Sequence, residues 1–157
     1  MKFSTREDIE APLDFVFNTF ADVEGWERAA MRRGAEVSRT DKLHTVAVGM
    51  GWQVAFDYRG KARNLTISLT GIDRPNALAF AGNAQALDGV VTLEFVEMSA
   101  RRTRVSVAAE LKPRTFGARL FLQSMKLAKA RITRRYQQRV AHICSDIEDR
   151  YRAGSRR

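Results

Sequence analysis

The sequence predicts an α+β fold: a curved antiparallel sheet of about seven strands wrapped around one long C-terminal helix, with two short helices after the first strand. Three observations predict it. From about Thr115 to Ala153 the chain has no proline. In that stretch Phe121, Met125, Ala128, Ile132, Tyr136, Val140, Ile143, Ile147 and Tyr151 recur at steps of three or four, the spacing of an apolar stripe on a helix of roughly 35 residues. Between Ala35 and Lys112 apolar residues instead alternate, segment after segment, with turn residues between the segments. A sheet with one apolar face has to bury it, and the terminal helix is the only element long and apolar enough to cover this one.

Residues 2–10 place Phe3, Thr5, Glu7 and Ile9 on one side of a strand that ends at Ala11-Pro12. Pro12 suits the first turn of a helix, and Phe15, Val16, Phe17 and Phe20 supply that helix with apolar positions up to about Ala21. Asp22 is placed to cap a second short helix and Gly34 to stop it. Glu36–Thr40 is a short strand. Around Val46, Val48 and Met50 the alternation suggests another, but Gly49 and Gly51 leave strand and loop both open. Trp52, Val54, Phe56 and Tyr58 form a clean face before the turn Arg59-Gly60-Lys61. Leu65, Ile67 and Leu69 form the next, stopped at Asp73-Arg74-Pro75-Asn76. Leu78 and Phe80, then Val91, Leu93 and Phe95, then Val105, Val107, Ala109 and Leu111, continue an antiparallel meander. A sheet curved around a helix in this way readily leaves a cavity between the two.

The chain of 157 residues is expected to be one domain, 1–157, with a basic tail from about residue 152. No apolar run approaches the roughly 18–20 residues that span a bilayer. Charges in MKFSTREDIEA interrupt the apolar segment a signal peptide needs, so export is not expected. The lone Cys144 has no disulfide partner within the chain, which fits a reducing cytoplasm. The net charge of +9 is unevenly placed. Residues 1–113 carry fifteen Lys/Arg and fifteen Asp/Glu, while residues 114–157 carry twelve and three. From Arg114 to Arg139 there are eight Lys/Arg and no acid. Such asymmetry fits an anionic partner, membrane or nucleic acid, or else a solvated helix face.

The opening reads Ile9-x-Ala11-Pro12-x-x-x-Val16-Phe17 and then Ala21-Asp22-Val23-Glu24-x-Trp26. In these residues, and in its order of elements, the whole chain resembles the helix-grip proteins of the START/birch-pollen-allergen-like superfamily, often called SRPBCC. The resemblance implies a cavity for a small hydrophobic ligand, because that superfamily includes lipid carriers, quinone-binding proteins, and polyketide cyclases and aromatases. It names no ligand and carries over no catalytic residue.

Trp26, Trp52, Phe56, Phe80, Phe95, Phe121, Met125 and Ala128 are the candidate cavity wall, with plain core as the other reading of each. Opening is expected around the short helices near Trp26 and the loop from Lys42 to Gly51. No catalytic residue, cofactor or metal is assigned. His44, His142 and Cys144 lack paired ligand spacing, and residues 142 and 144 point in different directions on a helix. Gly49-Met50-Gly51 lacks the spacing of a phosphate loop. Asp57 and Glu94 fall between apolar strand residues, hence on the outer face.

The leading expectation is therefore a cytoplasmic binder or carrier of a lipid, quinone or polyketide-like molecule. A cyclase or aromatase is one alternative, with Tyr58, Arg63 and Asn64 the nearest polar candidates. An RNA- or ribosome-associated protein using the basic helix is another. For contact with an anionic surface, membrane ahead of nucleic acid, the first candidates are Arg150, Arg152, Arg156 and Arg157 at the end of the helix, followed by Arg131, Arg134, Arg135 and Arg139. The sequence leaves the oligomeric state open.

Overall fold

The computed structural model describes residues 1–155; Arg156 and Arg157 lie outside the described residues. Strand β1 (Lys2–Ile9) leads into helices α1 (Leu13–Phe20) and α2 (Val23–Arg32). Then come β2 (Glu36–Arg39), β3 (Gly51–Tyr58), β4 (Lys61–Asp73), β5 (Ala77–Ala84), β6 (Leu87–Ser99) and β7 (Arg102–Pro113). Helix α3 (Phe116–Met125), a 3₁₀ segment (Lys126–Ala128) and α4 (Lys129–Ser155) complete the chain as one helical run. The strands form a single antiparallel sheet of order β1-β7-β6-β5-β4-β3-β2. This is the expected architecture.

Local chemistry sets the boundaries. The Asp22 carboxylate accepts the Gly25 N–H at 3.2 Å and opens α2, and Gly34, at φ +93°, lets the chain leave it. Thr115 Oγ1 accepts the Ala118 N–H at 3.1 Å and opens α3. Strand β4 slips register between Leu69 and Gly71, a bulge that bends and twists the sheet. A Cβ on residue 71 would stand 3.2 Å from that of Ala79, so glycine permits the close approach.

The bend brings the sheet over α1 and α4. Ile9, Val16, Phe17, Leu69, Leu78, Phe95 and Val105 form the centre of the core. Helix α4 lies along β1, burying Val140, Cys144 and Ile147. Tyr136 donates its hydroxyl to the Val107 carbonyl at 2.8 Å. Thr103, fully buried, donates its hydroxyl to the Ala11 carbonyl at 2.8 Å and pins the entry to α1 onto the start of β7.

The stretch around Val46 and Val48, which the sequence leaves open between strand and loop, is loop. Asp41 brackets it, accepting the Leu43 and Gly51 N–H groups at 2.9 Å each. The apolar stripe of the terminal helix runs through Met125, Ala128 and Ile132, all half-buried, to Tyr151, but Phe121 is exposed and Leu122 is buried in its place. Among the described residues no helix is long and apolar enough to cross a membrane.

Candidate functional site

The concave face of the sheet is incompletely filled. A cavity of about 650 Å³ lies between β3–β7 on one side and α2 on the other, with Val140 and Ile143 of α4 at its edge. That volume falls within the roughly 300–1,000 Å³ typical of small-molecule pockets. Its wall is a cross-strand ladder: Trp52 opposite Ile67, Val54 opposite Leu65, Phe80 opposite Val91, Leu78 opposite Leu93. Gly82 stands opposite Gly89 on the same face. Two facing glycines remove the side chains that would otherwise fill the floor, and both line the cavity.

Helix α2 forms the cover through Val23, Trp26, Glu27 and Ala30. Its position is held by one polar knot. The Trp52 indole N–H donates to Glu27 Oε1 at 2.7 Å, and Arg39 lies 3.6 Å from the same carboxylate oxygen. The Arg39 guanidinium also stands over the Trp52 ring at 5.7 Å and bonds Asp41 at 2.6 and 2.9 Å. The Arg39 hydrogen bonds and the Gly51 N–H hold the Asp41 carboxyl well below the usual carboxylate range. The knot thus ties α2, β2, β3 and the 42–50 loop together beside the cavity.

Few polar groups face the interior. The Trp26 N–H is committed to the Phe20 carbonyl at 3.0 Å and that of Trp52 to Glu27. Asp88 pairs with Arg114 at 3.2 Å, and Asn83 is exposed at the rim. What the arrangement can do is enclose an apolar body.

Of the expected wall residues, Trp26, Trp52 and Phe80 line the cavity. Phe56 has the right strand parity but pairs with Arg63 near the β3–β4 turn, beyond the reach of the concavity. Phe95 belongs to the core instead, packed on Phe17 at 5.5 Å and Phe20 at 5.4 Å. Phe121, Met125 and Ala128 stand apart from the cavity: Phe121 is exposed, with Leu122 buried in its place, and Met125 and Ala128 are half-buried away from the lining. Tyr58 and Asn64 are exposed, and Arg63 lies outside the lining with its Nε buried and unpartnered. The aliphatic part of the wall and Glu27 were not anticipated. The alternation that marked Trp52 also marked Val54, Leu65 and Ile67, so their signal was present; a lone glutamate on a short helix carried none.

The remaining candidates are structural or surface groups. Cys144 is buried, and burial, helped by Glu7 and Glu148, pushes its thiol up to about 12, so it stays protonated at neutral pH. His142 is exposed beside Asp146 at 3.6 Å. Among the described residues no three His, Cys, Asp or Glu side chains gather as a metal site requires. Arg131, Arg134, Arg135, Arg139, Arg150 and Arg152 are all exposed. Arg152 is paired with Asp149 at 3.0 Å and Glu148 at 3.7 Å.

No protein-family model and no curated protein matches the chain. Solved structures match its fold over nearly its full length. The Zhui aromatase/cyclase from Streptomyces sp. R1128 is 17% identical with a TM-score of 0.72, covering 98% of this chain and 97% of that one. Thalictrum flavum norcoclaurine synthase is 10% identical at a TM-score of 0.69, covering 99% and 96%. A START superfamily protein from Mycobacterium smegmatis is 11% identical at 0.61, covering 97% of each. The chain has the helix-grip fold that these proteins share.

Proposed function

We propose that this helix-grip protein is a cytoplasmic carrier or sensor that binds one small apolar molecule, of lipid, quinone or polyketide-like type, under helix α2. The observation that carries the reading is the cavity itself: about 650 Å³, walled by aliphatic and aromatic side chains, with its two indole N–H groups already committed. Burial of an apolar ligand there is driven by the area removed from water, at roughly 25 cal/mol per Å² before the costs of association. Glu27 and Trp52 hold the cover in register with the sheet, so the cargo space is built before the ligand arrives.

Native mass spectrometry of protein purified from its own host tests the reading, with a lipid and quinone panel alongside. A bound adduct of apolar composition, or saturable binding of a panel member, is the expected result. A protein that carries nothing and binds no panel member contradicts it.

A second reading, cyclase- or aromatase-type chemistry, draws on the aromatase/cyclase of like fold and on Glu27, whose carboxylate stands on the wall. Its test is Glu27→Gln, which keeps an acceptor for Trp52. Under the carrier reading this variant binds ligand as wild type does; under the enzyme reading it turns over no polyketide-like substrate that wild type converts.

A further inference from the structure

The terminal helical run carries a second apolar surface, and this one faces outward. Helix α3 buries Ala118 and Leu122 and packs on β7. Phe116, Leu120 and Leu127 stand on the opposite side, because steps of four and seven residues return to nearly the same helical angle. They are 74%, 50% and 95% exposed, with Phe121 beside them at 54%. Single exposed apolar side chains are ordinary, but four large ones within residues 116–127 form a crest. Arg119, Lys126, Lys129 and Arg131 flank it, all exposed. Among the described residues none of these four cations has a carboxylate within 4.0 Å.

We propose that this crest is a membrane-docking surface, its apolar side chains entering the acyl boundary of an anionic bilayer and its flanking cations resting on the headgroups. Both halves of the pattern are needed for that choice. A second copy of the chain would bring two acid-free cationic segments face to face, where like charges repel. Nucleic acid would take the cations but leave Leu120 and Leu127 against water. A bilayer with anionic lipid satisfies the apolar and the charged side chains at once. The contact therefore centres on the front of the helical run rather than on the end that bears Arg150 and Arg152, where Glu148 and Asp149 already offset charge.

The crest is also tied to the cavity rim. The Arg114 N–H donates to the Ala86 carbonyl at 2.7 Å, and Arg114 Nε pairs with Asp88 at 3.2 Å. Ala84, Leu87 and Asp88, around that turn, line the cavity. Docking through α3 brings this rim toward the bilayer. The proposal itself rests on the surface alone and does not require the cavity to hold cargo.

Flotation of the full chain with phosphatidylcholine vesicles, with and without phosphatidylserine, tests it. The protein floats with the phosphatidylserine vesicles, and binding weakens as salt rises to about 0.5 M. The double variant Leu120→Ser/Leu127→Ser lowers the bound fraction about tenfold or more while keeping the wild-type melting transition. Lys126→Gln/Lys129→Gln lowers it on anionic vesicles, whereas Arg150→Gln/Arg152→Gln leaves it near wild type. Flotation with neither vesicle overturns the proposal, as does a serine variant that floats like wild type. A wild-type dimer in sedimentation that the serine variant dissolves assigns the crest to a second copy instead, and RNA retention lost in the serine variant assigns it to nucleic acid.

Discussion

The two ends of the concave face are built from the same strands and the same residue types, yet one is core and the other cavity. Toward α1, Phe17, Leu69, Phe95 and Val105 are at most 2% exposed. Farther along β4, β5 and β6, Leu65, Ile67, Phe80 and Val91 are only half-buried. The difference is the cover. Helix α1 sends Phe17 and Phe20 directly onto Phe95, whereas α2 is held beside the sheet by the bonds of Glu27 to Trp52 and Arg39. How the covering helix is anchored, more than the sheet residue beneath it, decides which end encloses space.

The largest effect belongs to the filled end. Phe17→Ala removes a ring that is 1% exposed and packed edge-on to Phe95, and should cost about 3–5 kcal/mol in denaturant unfolding. Thr103→Val comes next. It leaves the Ala11 carbonyl without its donor in a fully buried site, at about 1–3 kcal/mol by the same measurement. At the open end the expectation reverses. Val91→Trp adds atoms to a face with room for them, so stability should stay within about 1 kcal/mol while apolar ligand binding falls about tenfold or more. If Val91→Trp destabilises as strongly as Phe17→Ala, the two ends are packed alike and the comparison fails.

The subtlest prediction concerns the anchor of the α2 cover. The Asp41 carboxyl is held below its ordinary value of 3.8 in the folded protein, first by its hydrogen bonds to Arg39, then by the Gly51 N–H. A depressed folded value means that its stabilisation is complete above the unfolded value and is lost as pH falls below 3.8 toward the folded one. Asp41→Asn should therefore melt below wild type at neutral pH, with the gap closing as the solution is acidified past that point. Asp8, lowered mainly by Arg104, shifts wild type and variant alike, so the difference between them isolates Asp41. A gap that stays constant into acid would mean that the carboxylate charge does not hold the loop.

The fold was legible in the sequence because it rests on periodicities: alternation from Trp52 to Leu111, helical spacing from Tyr136 to Tyr151, Asp22 and Gly34 as punctuation. The site was legible only by face. Alternation places Phe56 on the same side as Trp52 but says nothing of how far along β3 the concavity extends. Nothing in the sequence singles out Gly82, and only the register that sets it opposite Gly89 makes it the floor of a cavity. The stripe turned Phe121 inward, but Phe121 and Leu122 both fit the helical spacing and it is Leu122 that packing on the sheet buries. Long-range register and the choice between two adjacent apolar residues leave no mark in a single sequence.

The central claim, that the open end binds an apolar molecule, has a built-in reporter. The chain has two tryptophans, Trp26 and Trp52, and both stand on the cavity wall. Titrating the protein with a short-chain quinone while following tryptophan emission should give quenching that saturates at one equivalent. Quenching that rises linearly without saturation, as simple collision produces, across a lipid-competed series as well, would contradict it.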